Sequence, residues 1–239
     1  MTNGAFILLG SALAVAFIHT LLGPDHYLPF IVLSRARGWG RAKTAVVTII
    51  CGLGHVLSSA LLGVVGIALG VGLSRLNAVE ALRGDIAAWC LLAFGFTYFI
   101  WGLRRALRNK PHSHLHSHYR GYSFKHYHPH RHYREHSHPH GVSQNSSLTP
   151  WILFTIFVFG PCEPLIPLVF YAAARWGLVF ALTLTAIFSL ATIFTMLVMV
   201  FVLSGQLSRL SAPRMARYSH AAAGLAIFAC GAAIKFLGM

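Results

Sequence analysis

Acidic residues are scarce in this chain, which has five Asp and Glu against 19 Lys and Arg in 239 residues. Charged residues of either sign make up only 10% of it, whereas 56% of the residues are hydrophobic. This composition excludes an ordinary soluble domain. Two of the acids, Asp25 and Glu163, lie inside apolar segments, where an unpaired carboxylate costs about 3 kcal/mol. Both are therefore candidates for a functional role.

Cysteine is also scarce and scattered, with four residues and no C-x-x-C pair. This spacing excludes a disulfide framework and a zinc knuckle. Cys51, Cys90 and Cys230 are interpreted as small buried side chains. The chain also has no H-E-x-x-H motif, so a membrane metalloprotease is excluded, and we predict no enzymatic activity.

Long apolar runs dominate what is present. Six segments reach the length of about 20 residues that a membrane helix needs, and with no water to satisfy the backbone they should be helical. They run from Ala5 to Leu33, Thr44 to Gly72, Ile86 to Leu103, Trp151 to Ala174, Leu178 to Ser204 and Tyr218 to Leu237. The lipid bilayer is therefore a partner, and the fold class is an all-α integral membrane protein.

The net charge of +14 does not indicate a nucleic-acid partner, because the cations cluster at the ends of spans. Three loops, after the first, third and fifth spans, hold fifteen of the nineteen Lys and Arg residues. The positive-inside rule places these loops in the cytoplasm, so both termini face outward from an inner membrane. Because residues 1–4 contain no Lys or Arg, we expect the first span to be retained rather than cleaved.

The chain repeats part of itself. Aligning Gly23–Gly40 with Gly160–Gly177 without gaps matches seven of eighteen positions, against about one or two by chance. Each half holds three spans, so the halves form an inverted repeat: 1–103 and 150–239, joined by 104–149. Such repeats are typical of secondary transporters, whose binding sites lie at broken helices. The breaks are predicted at Gly23, Pro24, Gly160 and Pro161, because proline cannot continue the helix bonding.

The connecting segment, 104–149, is predicted to be a disordered cytoplasmic loop, since it has few aliphatic residues. It is rich in histidine, and His-rich tracts are typical of metal binding. The candidate accessory metal ligands are His112, His114, His116, His118, His126, His128, His130, His132, His136, His138 and His140.

The main candidate site combines residues of the first two spans. His19 precedes His26 by seven residues, so both imidazoles share a face if the helix continues. Asp25 adjoins His26 at the first break, and His55 lies in the second span. Imidazole and carboxylate together suit divalent first-row transition metals. The second break adds Cys162 and Glu163, which are predicted to complete the metal site or to form a gate.

These motifs resemble a known family. His19, the Asp25-His26 pair and Leu53-Gly54-His55 resemble the nickel/cobalt transporter family, including urease-accessory-type membrane proteins and resistance-type exporters. Five residues separate His19 from Asp25, where that family has four. The element 160–165 is similar to segments of the wider LysE-like superfamily, which includes sulfite-exporter-like and cytochrome-biogenesis-like membrane proteins.

The resemblance implies a secondary transporter of a divalent cation, nickel or cobalt first, with zinc, copper and iron as further options. It implies no prosthetic group, and a homo-oligomer is left open. Two alternatives of other kinds remain. One is a transmembrane thiol–disulfide electron carrier, which would need a cysteine pair and would be supported by a mixed disulfide trapped through Cys162. The other is a sulfite or organic-anion exporter, which Asp25 and Glu163 disfavour by repulsion.

Overall fold

The structure is a computed structural model that describes residues 3–108, 112–120, 122–130, 148–209 and 217–237. Its helices are α1 (Asn3–Leu22), α2 (Leu28–Ala36), α3 (Arg41–Ala68), α4 (Leu73–Arg108), α5 (Leu148–Phe159), α6 (Leu165–Trp176), α7 (Leu178–Arg209) and α8 (Ser219–Leu237). A single 3-10 turn, Pro24–His26, lies between α1 and α2.

The described part of the chain contains five helices that are long and apolar enough to cross a membrane: α1, α3, α4, most of α7, and α8. Large apolar side chains such as Phe6, Leu61 and Leu190 project outward from them. An apolar exterior of this kind suits lipid, so the chain is a multi-pass helical membrane protein.

The count of six predicted spans is not confirmed. The segment predicted at 151–174 forms α5 and α6 instead, each of 12 residues, which is too short for either to cross a bilayer alone. The predicted third span is longer than expected, because α4 begins at Leu73 and ends at Arg108, 36 residues in all. This extension brings residues predicted to lie in a loop into the helix.

The segment 104–149, predicted to be a disordered loop, begins inside α4. Beyond α4, the backbone forms two antiparallel strands, β1 (His112–Arg120) and β2 (Tyr122–His130), with His112 opposite His130. Residues 131–147 lie outside the described ranges. The division of the chain at 103 and 150 stays a prediction.

Helices from the two halves of the chain pack against each other in a reciprocal pattern. Helix α1 packs on α7, α5 packs on α3, and α4 packs along α8. The last pair is close, since a Cβ at Gly224 would overlap the backbone of Phe99. One buried cluster surrounds Phe30, Phe157 and Met196, and a second surrounds Leu165 and Phe188. This packing of first-half helices on second-half helices brings the two chain breaks together in the interior.

Candidate functional site

At the first break, backbone hydrogen-bonding groups find partners within the same short stretch of chain. Helix α1 ends at Leu22, and the N–H of Gly23 still donates to the carbonyl of His19 at 3.0 Å. The N–H of Tyr27 donates to the carbonyl of Pro24 at 3.3 Å, which closes the 3-10 turn. Nδ1 of His26 lies 3.1 Å from the Gly23 carbonyl oxygen and 3.2 Å from Oδ1 of Asp25. These contacts are local, so the motif itself supplies most of what holds this turn.

The second break depends on distant residues. Helix α5 ends at Phe159, and the N–H of Cys162 donates to Oγ of Ser59 at 3.1 Å and to Oε1 of Glu80 at 3.2 Å. The side chain of Arg83 donates to the carbonyl of Val158 at 2.7 Å. Backbone groups freed at the end of α5 and after Pro161 are therefore satisfied from α3 and α4.

A buried ion pair anchors this arrangement. Glu80 is 2% exposed, pairs with Arg83 one helical turn further along α4, and accepts a hydrogen bond from Ser59. Arg83 also donates to Oγ of Ser58 at 2.6 Å. A buried charge is tolerated when it is paired and its remaining hydrogen-bonding groups are satisfied, and here both conditions hold.

Sequence reasoning missed Glu80 and Arg83. The third span was predicted to begin at Ile86, which left both residues in a connecting loop. Their spacing of three, with opposite charges, was the available signal, because such a pair shares a helix face. The scarcity of acids in this chain made Glu80 as informative as Asp25.

The structure brings the three first-half histidines together. The ring centroids of His19 and His26 lie 4.8 Å apart, and those of His26 and His55 lie 5.0 Å apart, both pairs edge to face. His26 and His55 are each 3% exposed. Three imidazoles from α1, the 3-10 turn and α3 thus form one buried cluster at the first break.

One nitrogen of each ring lacks a hydrogen-bond partner. Nε2 of His19, His26 and His55 is buried and makes no hydrogen bond within the part of the chain that the structure describes. Nδ1 of His55 faces the second break, since a Cβ built at Gly160 would lie 3.2 Å from it. Nδ1 of His26 lies at the Gly23 carbonyl.

Cys162 brings the second break into this cluster. Its sulfur and one ring nitrogen each from His19 and His55 all lie within 4.8 Å of one another. Cys162 is fully buried. Of the remaining predicted ligands, Asp25 contacts His26, whereas Glu163 is exposed and lies outside this three-residue group. Of the predicted ligands, the structure thus places His19, His55 and Cys162 together.

A cavity of about 730 Å³ adjoins the cluster. Its lining includes His19, Asp25, His26, His55 and Glu163, together with Gly23, Gly160, Pro161, Asp85 and Lys235. Nζ of Lys235 lies 2.7 Å from Oδ1 of Asp85 across α8 and α4. Cys162 is not among the residues that line the cavity, whereas its neighbours His19 and His55 are.

The predicted accessory ligands add nothing to this geometry. His132, His136, His138 and His140 lie outside the described residues, and for the histidines of β1 and β2 only the backbone is described. Their role in metal binding stays a prediction.

Comparison with known proteins gives one match. A model of the family described as "Cytochrome C biogenesis protein transmembrane region" matches residues 28–233, which is most of the chain. No curated protein and no solved structure matches the chain. The matched part includes the second break and begins two residues after His26.

This match corrects two predictions. The resemblance to the nickel/cobalt transporter family is wrong, and so is the function of divalent-cation transport inferred from it, because the matching family points to thiol–disulfide exchange and cytochrome biogenesis. The misleading signal was a short pattern of His and Asp residues near one break. The alternative of a thiol–disulfide electron carrier is the one that the match favours.

Proposed function

The chain belongs to the family of cytochrome c biogenesis protein transmembrane regions, and we propose that it is a membrane carrier of reducing equivalents that works by thiol–disulfide exchange. The thiol of Cys162 is the exchanging group. The observation that carries this assignment is its position at the second chain break, within 4.8 Å of two imidazole nitrogens.

An imidazole beside a thiol can take up the thiol proton and so generate the reactive thiolate. The thiolate is the nucleophile in exchange, and a neighbouring histidine can accept the thiol proton and stabilise the resulting charge. His19 and His55 are both placed to accept that proton. The carboxylate of Asp25, at 3.2 Å from His26, supplies negative charge to the same cluster of imidazoles.

A single cysteine is sufficient for the exchange. The Cys162 thiolate attacks one sulfur of a partner disulfide, forms a mixed disulfide and releases the other partner sulfur as a thiolate, which takes up a proton. A second partner, a reduced dithiol, then attacks the Cys162 sulfur with one thiolate and releases the first partner as a dithiol. The other thiol of the second partner displaces Cys162 and closes a disulfide in that partner, so two electrons pass from the second partner to the first.

The first break has no second cysteine to form a pair. The repeat alignment places Asp25 at the position equivalent to Cys162. The exchange proposed here therefore uses one thiol and an acid–imidazole cluster instead of a pair of cysteines. Because Cys162 is fully buried and is not among the residues that line the cavity, exchange requires the second break to move aside.

The proposal includes a topology. Taken together across their break, α5 and α6 form a sixth crossing, and the two three-helix halves are then inverted relative to each other. The repeat at Gly23 and Gly160 and the reciprocal packing of α1 on α7 and α5 on α3 support this arrangement. The clustered cations support a cytoplasmic segment 104–149 with both termini outside. The exchange step needs no prosthetic group.

The test uses the full-length protein in lipid vesicles that contain oxidised glutathione. A charged phosphine reductant is added outside, and reduced glutathione inside is measured together with the mass of the Cys162 peptide. We expect internal reduction and a glutathione adduct on Cys162. The variant Cys162→Ser should lose both, whereas a variant with Ser at Cys51, Cys90 and Cys230 should keep both. Equal internal reduction by Cys162→Ser would overturn the proposal.

A further inference from the structure

We infer that His19, His55 and Cys162 form a binding site for a thiolate-accepting metal ion, Zn²⁺ or Cu⁺, with His26 beside it. The inference concerns an ion held at the junction of the two breaks, and it does not depend on the exchange proposed above. Three observations carry it: the distances within the cluster, the unpartnered ring nitrogens and the donor set.

The distances suit one ion after a small adjustment. The two ring nitrogens and the sulfur lie within 4.8 Å of one another. An ion that binds nitrogen at about 2.0 Å and sulfur at about 2.3 Å separates its ligand atoms by about 3.5 Å. Side-chain movements of about 1 Å therefore close the site, without a change in any helix.

The unpartnered nitrogens point to a missing ligand. Buried polar atoms nearly always have a partner, and leaving one unsatisfied costs about 1–3 kcal/mol. His26 and His55, each 3% exposed, both have an Nε2 without a partner among the described residues. The Nε2 of His19 is also buried and has no partner among these residues. Packing of the rings against one another leaves this cost in place, whereas a bound ion removes it.

The opposite side of the neighbouring His26 ring is arranged as in metal sites. A ligating histidine usually donates its other N–H to a carbonyl or carboxylate, which orients the ring. His26 has Nδ1 at 3.1 Å from the Gly23 carbonyl and at 3.2 Å from Asp25. These contacts orient the ring, and its Nε2 has no partner among the described residues.

The donor set selects the kind of metal. Two imidazoles and one thiolate favour Zn²⁺ or Cu⁺ over Mg²⁺ and Ca²⁺, which prefer oxygen ligands. The Cys162 thiolate and the nearby Asp25 carboxylate would offset the charge of the ion in this apolar setting. An ion bound to the sulfur would also withhold Cys162 from exchange until it is removed.

The test is a titration of the reduced full-length protein in detergent with Co²⁺, a spectroscopic substitute for Zn²⁺. A thiolate–cobalt charge-transfer band in the near ultraviolet reports sulfur ligation. The histidine-rich segment 112–140 contains no cysteine, so cobalt bound there gives no such band. We expect a band that saturates at one equivalent and is abolished by added Zn²⁺.

Variants assign the band to this site. Cys162→Ser should abolish it, and His19→Gln, which keeps the thiol, should weaken cobalt affinity at least about tenfold. The matched controls Cys230→Ser and His220→Ala alter a buried thiol and a half-buried imidazole elsewhere and should keep the band. Elution as a single monodisperse peak would confirm that each variant is folded.

Two results would overturn the inference: no band in the unaltered protein, or an undiminished band in Cys162→Ser. The glutathione experiment, run after chelation, separates this inference from the proposed function. An adduct on Cys162 without a cobalt band refutes the metal site alone. A band without an adduct refutes the exchange alone.

Discussion

The two chain breaks begin with the same Gly-Pro pair but are stabilised differently. The first is held by contacts within residues 19–27, including the Tyr27 hydroxyl, which donates to the Leu21 carbonyl at 3.3 Å. The second is held by Glu80 and Arg83, which lie about eighty residues earlier in the chain. The first break is therefore held by local contacts, whereas the second adds side chains of α3 and α4 to its own local bonds, such as that from the Leu165 N–H to the Cys162 carbonyl at 2.9 Å.

This difference indicates which of the two breaks can be released from the contacts that hold it. The first break, which includes His26, is held largely by its own turn, whereas His55 lies on α3. A break held by side chains of other helices can be released when those contacts open. Cys162 lies on this second break, where release would expose the thiol. The predictions below test whether the two breaks differ as described.

The largest expected effect comes from Glu80→Ala. The change leaves the half-buried Arg83 without its carboxylate partner and removes an acceptor from the Cys162 N–H, so we expect a loss of about 3 kcal/mol of stability. Unfolding in detergent, followed by helical circular dichroism, measures it. Glu80→Gln, which keeps a hydrogen-bonding side chain, should lose less. Asp25→Ala, at the partly exposed acid of the first break, should also lose less stability than Glu80→Ala. Equal losses of stability would contradict the difference between the two breaks.

The next effect is expected at Gly84, where α4 passes the second break. A Cβ at this position would lie 2.9 Å from Cγ of Pro161. Gly84→Ala must therefore displace Pro161, and we expect a loss of about 1–3 kcal/mol from overpacking.

The matched control for Gly84 is Gly10→Ala in α1, where the new methyl group meets no atom within 4 Å. That variant should be neutral or stabilised by up to about 1 kcal/mol, because alanine favours the helix. A Gly84→Ala protein as stable as Gly10→Ala would show that the second break does not depend on α4.

A smaller effect is expected at the first break from Tyr27→Phe. It removes the hydroxyl that donates to Leu21 and leaves the backbone turn intact, so the loss should be about 0.5–1.5 kcal/mol. Thermal unfolding measures it, with Tyr171→Phe on the exposed surface of α6 as control. A loss as large as that of Glu80→Ala would mean that the first break is not held by its own turn.

The smallest effect is expected from Asp85→Asn. Asp85 pairs with Lys235 at 2.7 Å, but its side chain is 60% exposed. Exposed pairs contribute about 0–1 kcal/mol and weaken with salt. Stability measured at low and high salt should differ little between Asp85→Asn and the unaltered protein. A large, salt-sensitive loss would show that a second ion pair on α4, beside Glu80 and Arg83, also holds the site together.

Local patterns in the sequence predicted the spans and both breaks well. Apolar runs of sufficient length define membrane helices, so α3, α7 and α8 match their predicted segments closely. The first predicted span, Ala5 to Leu33, is divided into α1, the 3-10 turn and α2, because proline interrupts helix bonding. The number of spanning helices was less predictable, because a break near the centre of 151–174 leaves two short helices.

Sequence reasoning failed where function rested on a short motif. The pattern of His19, Asp25 and His26 suggested a metal transporter, whereas the family match over residues 28–233 indicates cytochrome biogenesis. A few polar residues near one break are compatible with several chemistries, and only the whole chain distinguishes between them.

The amino-acid sequence alone determined that this is a helical membrane protein with two matched breaks, because hydrophobicity, chain length and proline act locally. Only the tertiary structure decided that Cys162 meets His19 and His55, and that Glu80 and Arg83 support the second break. These contacts join residues 75 to 143 positions apart. Their geometry follows from how α1, α3, α4 and α5 pack, which no local spacing specifies.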